Sequence, residues 1–296
     1  MLRVPSGDGA QACSPLVVAE PGDYYLERDV SIDGDVGIVI KAKDVLLDLN
    51  GHTVSGPKNI DSKSIGIHVK SAQNVRIVGG RVDGFRYGIL ASTTSDLTVQ
   101  AVEVSQSLNI GISVGGPRTR IEGCHVHDIG GIGDEAYAVG VNILGGGDGV
   151  MLLRSTIANI YRQSQADPAT VGEGCAVVCS SSAGSIVVRD NVLTNDRVEA
   201  KTIGVFCGGR DQVVQNNLIR NFQFGVMGGG SEDRATDVVD NCLVTKPAIG
   251  GSEGLSVVFG KVTGNVVVGF HHGGRPNLSA DSNTFLDQTG GVHCLV

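Results

Sequence analysis

Tryptophan is absent from this chain, and aromatic residues make up only 4% of it. A core built on large ring side chains is therefore excluded. No apolar run approaches the ~18 residues of a membrane span, and no amphipathic run is long enough to support a helix. The first residues, MLRVPSGDGAQACSPLVVAE, lack a charged stretch followed by an apolar one, so no signal peptide is visible. Positive charge is also in short supply. The formal net charge is −8, which disfavours nucleic acid and anionic membrane as partners. The seven cysteines (Cys13, Cys124, Cys175, Cys179, Cys207, Cys242 and Cys294) form no two CxxC units of the zinc type. An odd number of thiols among apolar neighbours suggests buried cysteines in a reducing compartment, so a cytoplasmic location is expected, with a processed secreted form as the alternative.

What is present is glycine, 44 residues of it, together with Val, Ile and Leu in short alternating runs. That composition favours many short strands joined by Gly and Asn turns. Between Asn74 and Val126 the runs recur: NVRIVGGRVDGFRYGIL is followed by DLTVQAVEVSQSLNIGISV and then by RTRIEGCHV. Ile77, Val99 and Ile121 are spaced by 22 residues each. Self-similarity at a fixed period of this size signals stacked repeats.

The phrases EPGDYYLERDV, LLDLNGHTVSG and GIHVKSAQNVRIVGGRVDGFRYGIL resemble the right-handed parallel β-helix proteins of the pectate-lyase-like and NosD-like group. The resemblance covers nearly the whole chain. It implies an all-β fold: a single-stranded right-handed parallel β-helix of about ten coils with three short strands per coil, forming one domain over 1–296. Residues 1–33 are expected to cap its N-terminal end. The fold carries many chemistries, so the resemblance says little about activity.

The repeat pattern aligns one column just after the second strand of each coil. It contains Gly51, Gly80, Val102, Cys124, Thr156, Asn191, Asn217, Cys242, Asn265 and Asn283. The asparagines at the strand spacing of ~4.8 Å predict an amide ladder, the alternative being separate turn residues. First strands are expected at Gly66–Val69, Gly88–Ala91, Gly111–Val114, Gly140–Ile143, Ala176–Cys179, Gly204–Cys207, Gly225–Gly228 and Ser256–Phe259. Extra residues fall between a third strand and the next first strand, at 128–137, 159–174, 195–201 and 245–254. Insertions on one edge of a solenoid mark its working face.

Strand alternation points His68, Leu90, Ser113, Asn142, Val178, Phe206, Met227 and Val258 outward, with the column from Gly66 to Ser256 beside them. The reading is an apolar floor next to a strip without side chains. Asn142, Val178, Phe206 and Met227 are its ligand-binding candidates. The alternative is that the glycines serve backbone geometry and the loops cover the row. Five residues earlier runs a column that includes Tyr137, Glu173 and Lys201. A phenol, a carboxylate and an amine together could act as acid, base and electrostatic stabiliser in proton abstraction beside a carbonyl. A solvated Glu–Lys pair is the plainer alternative. Tyr161 and Arg162, in the following loop, are further catalytic candidates. His125, His127 and Asp128 share a third strand, but three residues without a second cluster are too few to expect a metal, and no cofactor is expected.

The resemblance can be tested on chemistry. Calcium-dependent uronate lyases of this group carry acidic residues on the binding face, and the outward row here has none. Of the polygalacturonase signatures only His272-Gly273 is present, and the epimerase Asp-Pro-His-Asp is reduced to Asp167-Pro168-Ala169. The resulting expectation is a metal-independent lyase or isomerase, working by proton transfer, cyclisation or epimerisation on a neutral or partly apolar small molecule. The alternatives are a polysaccharide lyase or sugar epimerase with a saccharide ligand, and a non-catalytic carbohydrate-binding or structural solenoid. The C-terminal GGVHCLV ends as a strand without an obvious cap, which leaves an edge on which a homodimer could form.

Overall fold

In the computed structural model, the described residues are 2–3, 11–12, 15–59, 63–131, 137–162, 173–245, 250–274 and 282–288. They contain no α-helix. Short strands pair in parallel with their counterparts in the next coil. One stack consists of eleven first strands: Leu16–Val18, Val36–Ile40, Ile65–Val69, Tyr87–Ala91, Ile110–Val114, Tyr137–Ile143, Glu173–Cys179, Thr202–Cys207, Phe224–Gly228, Glu253–Val257 and His272–Gly274. The second and third strands form two further parallel stacks, fused where Gln73–Asp83 and Ser95–Ser105 turn the corner as single strands. The 22-residue period is visible in that pairing, because Ile77 lies opposite Val99 and Val99 opposite Ile121.

A period of two dictates the core. In Val45–Asp48 and Gln212–Gln215 alternate side chains are buried, and the apolar ones meet those of the other stacks inside. The buried cluster runs from Leu16 to Phe270 without a break, and Phe85, Phe222 and Phe270 are its largest fully buried members. The described cysteines are unpaired thiols, buried at Cys124, Cys175, Cys179 and Cys207 and partly exposed at Cys242.

The amide ladder exists, with a shifted membership. The backbone N–H of each residue donates to the side chain of the next: Cys124 to Ser155, Ser155 to Asn191, Asn191 to Asn217, Asn217 to Asn241, Asn241 to Asn265 and Asn265 to Asn283, all at 2.9–3.1 Å. Ser155 and Asn241 therefore replace Thr156 and Cys242, which begin the third strands. Gly51 sits in a turn rather than in the column. Every ladder residue from Cys124 on except Asn283 follows a residue in the left-handed conformation: Gly123, Arg154, Asp190, Asn216, Asp240 and Gly264. That residue turns the corner and aims the next side chain into the stack.

Three further expectations are corrected. Residues 16–32 of the supposed cap form a full coil, with Leu16–Val18 and Val30–Ile32 paired to their counterparts in the next one. The first strand near the C-terminus is Glu253–Val257, so Ser256, not Val258, lies in the outward row beside Met227. The glycine strip faces inward. A side chain at Gly66, Gly88, Gly111, Gly140, Gly204, Gly225 or Gly254 would collide with a core residue of the third strand and, from Gly66 on, with the backbone of the next coil. The alternation breaks at this position: Gly88 and Ile89 are both buried in Tyr87–Ala91, and so the residue before each glycine is the outward one. Of the expected insertions, 195–201 is described and carries no strand, and 132–136, 163–172 and 246–249 lie outside the described residues. Residues 128–130, 159–161 and 173–174 belong to strands.

Candidate functional site

Two outward rows line the first-strand sheet. One comprises His68, Leu90, Ser113, Asn142, Val178, Phe206, Met227 and Ser256. The other, three residues earlier, includes Tyr87, Ile110, Val139, Cys175, Ile203 and Phe224. Val139, Cys175 and Ile203 form a small apolar cluster of their own, packed by Ile110, Val178, Phe224 and Met227. Over this cluster lies a cavity of ≈ 450 Å³.

Few polar groups reach it. Asn142 rises from the floor, and Asn109, Tyr137 and Glu173 stand on one side. Tyr137 and Glu173 are register partners in adjacent coils, which sets them one strand spacing, ~4.8 Å, apart. Asn109 is buried, and its amide donates to the Tyr137 backbone carbonyl at 2.6 Å, fixing the start of that strand. The Tyr137 side chain is 55% exposed and stands at the cavity mouth. Cys175 is the only thiol among the described lining residues, and burial, helped by the Glu173 carboxylate, pushes it up to about 12. It is a buried, apolar part of the floor.

The structure thus brings Tyr137, Glu173, Asn142, Val178, Phe206 and Met227 to one cavity. Lys201, Tyr161 and Arg162 are not among its lining residues. Lys201 is the next register position after Glu173, and its backbone carbonyl accepts the Gly174 N–H at 3.1 Å. Tyr161 ends a third strand, lies under the Arg197 guanidinium at 4.9 Å and is pushed up to about 12, first by burial and then by Asp196. Arg162 follows it, exposed. Sequence reasoning missed Ile110, Val139, Cys175, Ile203 and Asn109. For Ile110, Val139 and Ile203 the signal was the apolar residue before a glycine, and Cys175 stands before the equivalent Ala176. A second hollow shares Phe206 and Met227 with the first and adds Ser256, Ser231 and Arg234.

On the third-strand sheet, His125 and His127 point outward from one strand, as alternation requires. Glu103 is the register partner of His125 in the preceding coil. His127 lies between two carboxylates, with Nδ1 2.7 Å from Asp128 and Nε2 2.9 Å from Glu103. Among the described residues, Glu103, His125 and His127 are the only group of three side chains near enough to share a metal ion.

With this geometry in view, comparison with known proteins is informative about fold. Among solved structures, the chain is similar to the alginate lyase from Paenibacillus sp. str. FPU-7 (12% identity over 95% of this chain and 99% of the lyase, TM-score 0.59). It is also similar to the surface protein and adhesin PfbA of Streptococcus pneumoniae (10% identity over 94% and 87%, TM-score 0.55). A third similarity is to the Dettilon tailspike protein (10% identity over 93% of this chain, TM-score 0.51), of which the chain spans only 60%. At these identities the likeness is one of fold alone. No curated protein matches the chain. The family described as the right-handed beta helix region matches residues 65–285, about three quarters of the sequence. The chain belongs to the right-handed β-helix family.

Proposed function

We propose that this protein binds a small, neutral or partly apolar molecule on its first-strand sheet and transforms it by proton transfer. The observation that carries the reading is the cavity over Val139, Cys175, Val178 and Ile203, where one carboxylate and one phenol meet two amides. An apolar enclosure with a few convergent polar groups is the usual composition of a small-molecule site. In this reading Glu173 takes a proton from a carbon beside a carbonyl. Tyr137 or Asn142 donates a hydrogen bond to the oxygen on which negative charge develops. Return of the proton to another carbon gives an isomerisation. Attack of the enolate carbon on a second carbonyl carbon of the same molecule, with the proton passing to that carbonyl's oxygen, gives ring closure. Loss of a leaving group from the carbon beyond gives a lyase reaction. The carboxylate inventory of the described lining argues against the acidic groove of uronate lyases, because Glu173 is the only acidic residue among the described lining residues.

The test uses a neutral fluorescent naphthylamine as reporter. The expected result is saturable binding that Asn142→Trp abolishes, displacement by neutral polycyclic or terpenoid-sized compounds, and no displacement by oligouronates. Displacement by oligouronates with release of unsaturated sugar would instead support the polysaccharide-lyase alternative. Once a turned-over compound is found, Glu173→Gln should lower kcat by about 10²–10⁴-fold with binding retained. Unchanged turnover in that variant would remove Glu173 from the mechanism.

A further inference from the structure

The third-strand sheet carries a constellation that the cavity does not use. Glu103, His125 and His127 come from two successive coils, brought together by the 22-residue repeat. Their donor atoms all lie within 4.8 Å of one another. The imidazoles of His125 and His127 stand face to face, 4.3 Å between centroids and tilted by 30°. Behind them Asp128 engages Nδ1 of His127 at 2.7 Å, and Asp128 is itself held by the Asn159 amide at 3.1 Å. This is a graded arrangement, in which one carboxylate orients an imidazole whose other nitrogen faces a second imidazole and a second carboxylate. Metal-binding histidines characteristically have such a partner on the far ring nitrogen, where it fixes the tautomer and raises basicity.

We propose that Glu103, His125 and His127 bind one divalent transition-metal cation, Zn²⁺ by donor preference, with Asp128 as the positioning residue for His127. Two imidazoles and a carboxylate are a donor set that zinc accepts, and three protein ligands leave a position for water. Zinc takes its ligands at ~2.0–2.2 Å, so the widest donor pair must close by about 1.5 Å. Rotation of surface side chains supplies that movement, since His125 is exposed and Glu103 half-exposed. There is room beside Glu103 and His125: a hollow of ≈ 490 Å³ is lined by these two and Arg81, and by Gly51, Gly80 and Gly123, which contribute no side chain. The nearest competing cation is Arg81, 3.4 Å from Glu103. Its guanidinium is anchored elsewhere, on Ser105 Oγ at 3.0 and 3.1 Å and beside Asp83 at 3.6 Å, so Glu103 can leave it without stranding it. The competing account is a metal-free chain in which His127 simply bridges Glu103 and Asp128.

The experiment takes the full chain without an affinity tag, stripped with chelator, and titrates it with Zn²⁺ by calorimetry and with Co²⁺ by visible absorption. The expected result is one ion per chain, with Co²⁺ bands of four- or five-coordinate intensity. His125→Ala, His127→Ala and Glu103→Gln should each weaken binding by about a hundredfold or more, and Asp128→Asn by about 10–100-fold. Circular dichroism checks that each variant is folded. Glu103→Gln and Asp128→Asn nearly preserve side-chain shape and decide the matter if a histidine variant does not fold. Absence of saturable binding, or Zn²⁺ affinity unmoved in the folded Glu103→Gln and His127→Ala variants, overturns the proposal.

Discussion

At the scale of single residues, the inward glycines of the first strands form a column of tightly enclosed positions. A methyl group on Gly88 would meet Val104 Cγ1 and the carbonyl oxygen of Gly111, one from the third strand and one from the coil above. Val104 is fully buried and a backbone carbonyl moves only with its strand, so a methyl here requires both coils to shift, as they do around Ala176, the register equivalent of Gly140 and Gly204. Gly88→Ala should therefore destabilise the protein by about 1–3 kcal/mol, as overpacked core sites do. Gly230→Ala, where nothing lies within 4 Å, should fall within about 0.5 kcal/mol of wild type. Urea denaturation of the two variants checks the contrast. Equal effects would mean that the inward strip relaxes more easily than its contacts suggest. The same residues limited what could be read beforehand. A period-two reading placed Gly66 and its equivalents outside, because strict alternation was assumed across a bend. It therefore overlooked Val139, Cys175 and Ile203, which make the cavity floor.

At the scale of the element, the asparagine ladder is the feature most open to quantitative test. Asn217 Oδ1 accepts the backbone N–H and the amide of Asn191, at 2.9 and 3.0 Å. Its own amide donates to the Val188 carbonyl and to Asn241 Oδ1, both at 2.9 Å. All of this is buried, with Asn217 only 2% exposed. Asn217→Ala strands several of these groups, each costing about 1–3 kcal/mol, so a loss of at least about 3 kcal/mol is expected. Asn217→Asp is more discriminating. A carboxylate still accepts from Asn191 but cannot donate to Val188 or Asn241, and burial raises its pKa above the unfolded value of ~3.9. A group raised in the folded state stabilises fully below its unfolded pKa and loses that contribution as pH rises through the folded one. The Asp variant should therefore approach wild-type stability in acid and fall away toward neutral pH, whereas the Ala deficit stays flat. A flat Asp profile would contradict the ladder's donor pattern. The existence of this ladder was legible from the spacing of Asn191, Asn217, Asn265 and Asn283. Its exact membership was not, because a one-residue slip exchanges inward and outward positions. The dipeptides Asp190-Asn191, Asn216-Asn217 and Asp240-Asn241 hold the missing rule: the first residue takes the left-handed turn and the second enters the stack.

At the scale of the whole molecule, each coil touches chiefly its two neighbours, and energetics should follow that one-dimensional plan. The spacing of Ile77, Val99 and Ile121 made the stacked repeats readable, and the resemblance carried by LLDLNGHTVSG and its neighbouring phrases named the β-helix. The working surface was less readable, because Glu103 meets His125 across a coil boundary and Tyr137 and Glu173 are separated in sequence by an insertion. Coupling between mutations is the direct measure of the plan. Gly88 and Asn265 belong to coils six steps apart, about 29 Å along the axis at ~4.8 Å per step. They share no partner, and a combined Gly88→Ala/Asn265→Ala variant should lose the sum of the single losses to within about 0.5 kcal/mol. Asn217 and Asn241 are joined directly, since both the backbone N–H and the amide of Asn217 donate to Asn241 Oδ1. Asn241→Ala removes both bonds and Asn217→Ala already removes the amide one, so Asn217→Ala/Asn241→Ala should lose less than the sum, by about 0.5–3 kcal/mol. Denaturant titrations of the six variants supply both cycles. Strong coupling between the distant pair would show that the coils respond as one rigid body, and additivity in the adjacent pair would mean that the ladder is a row of independent turns.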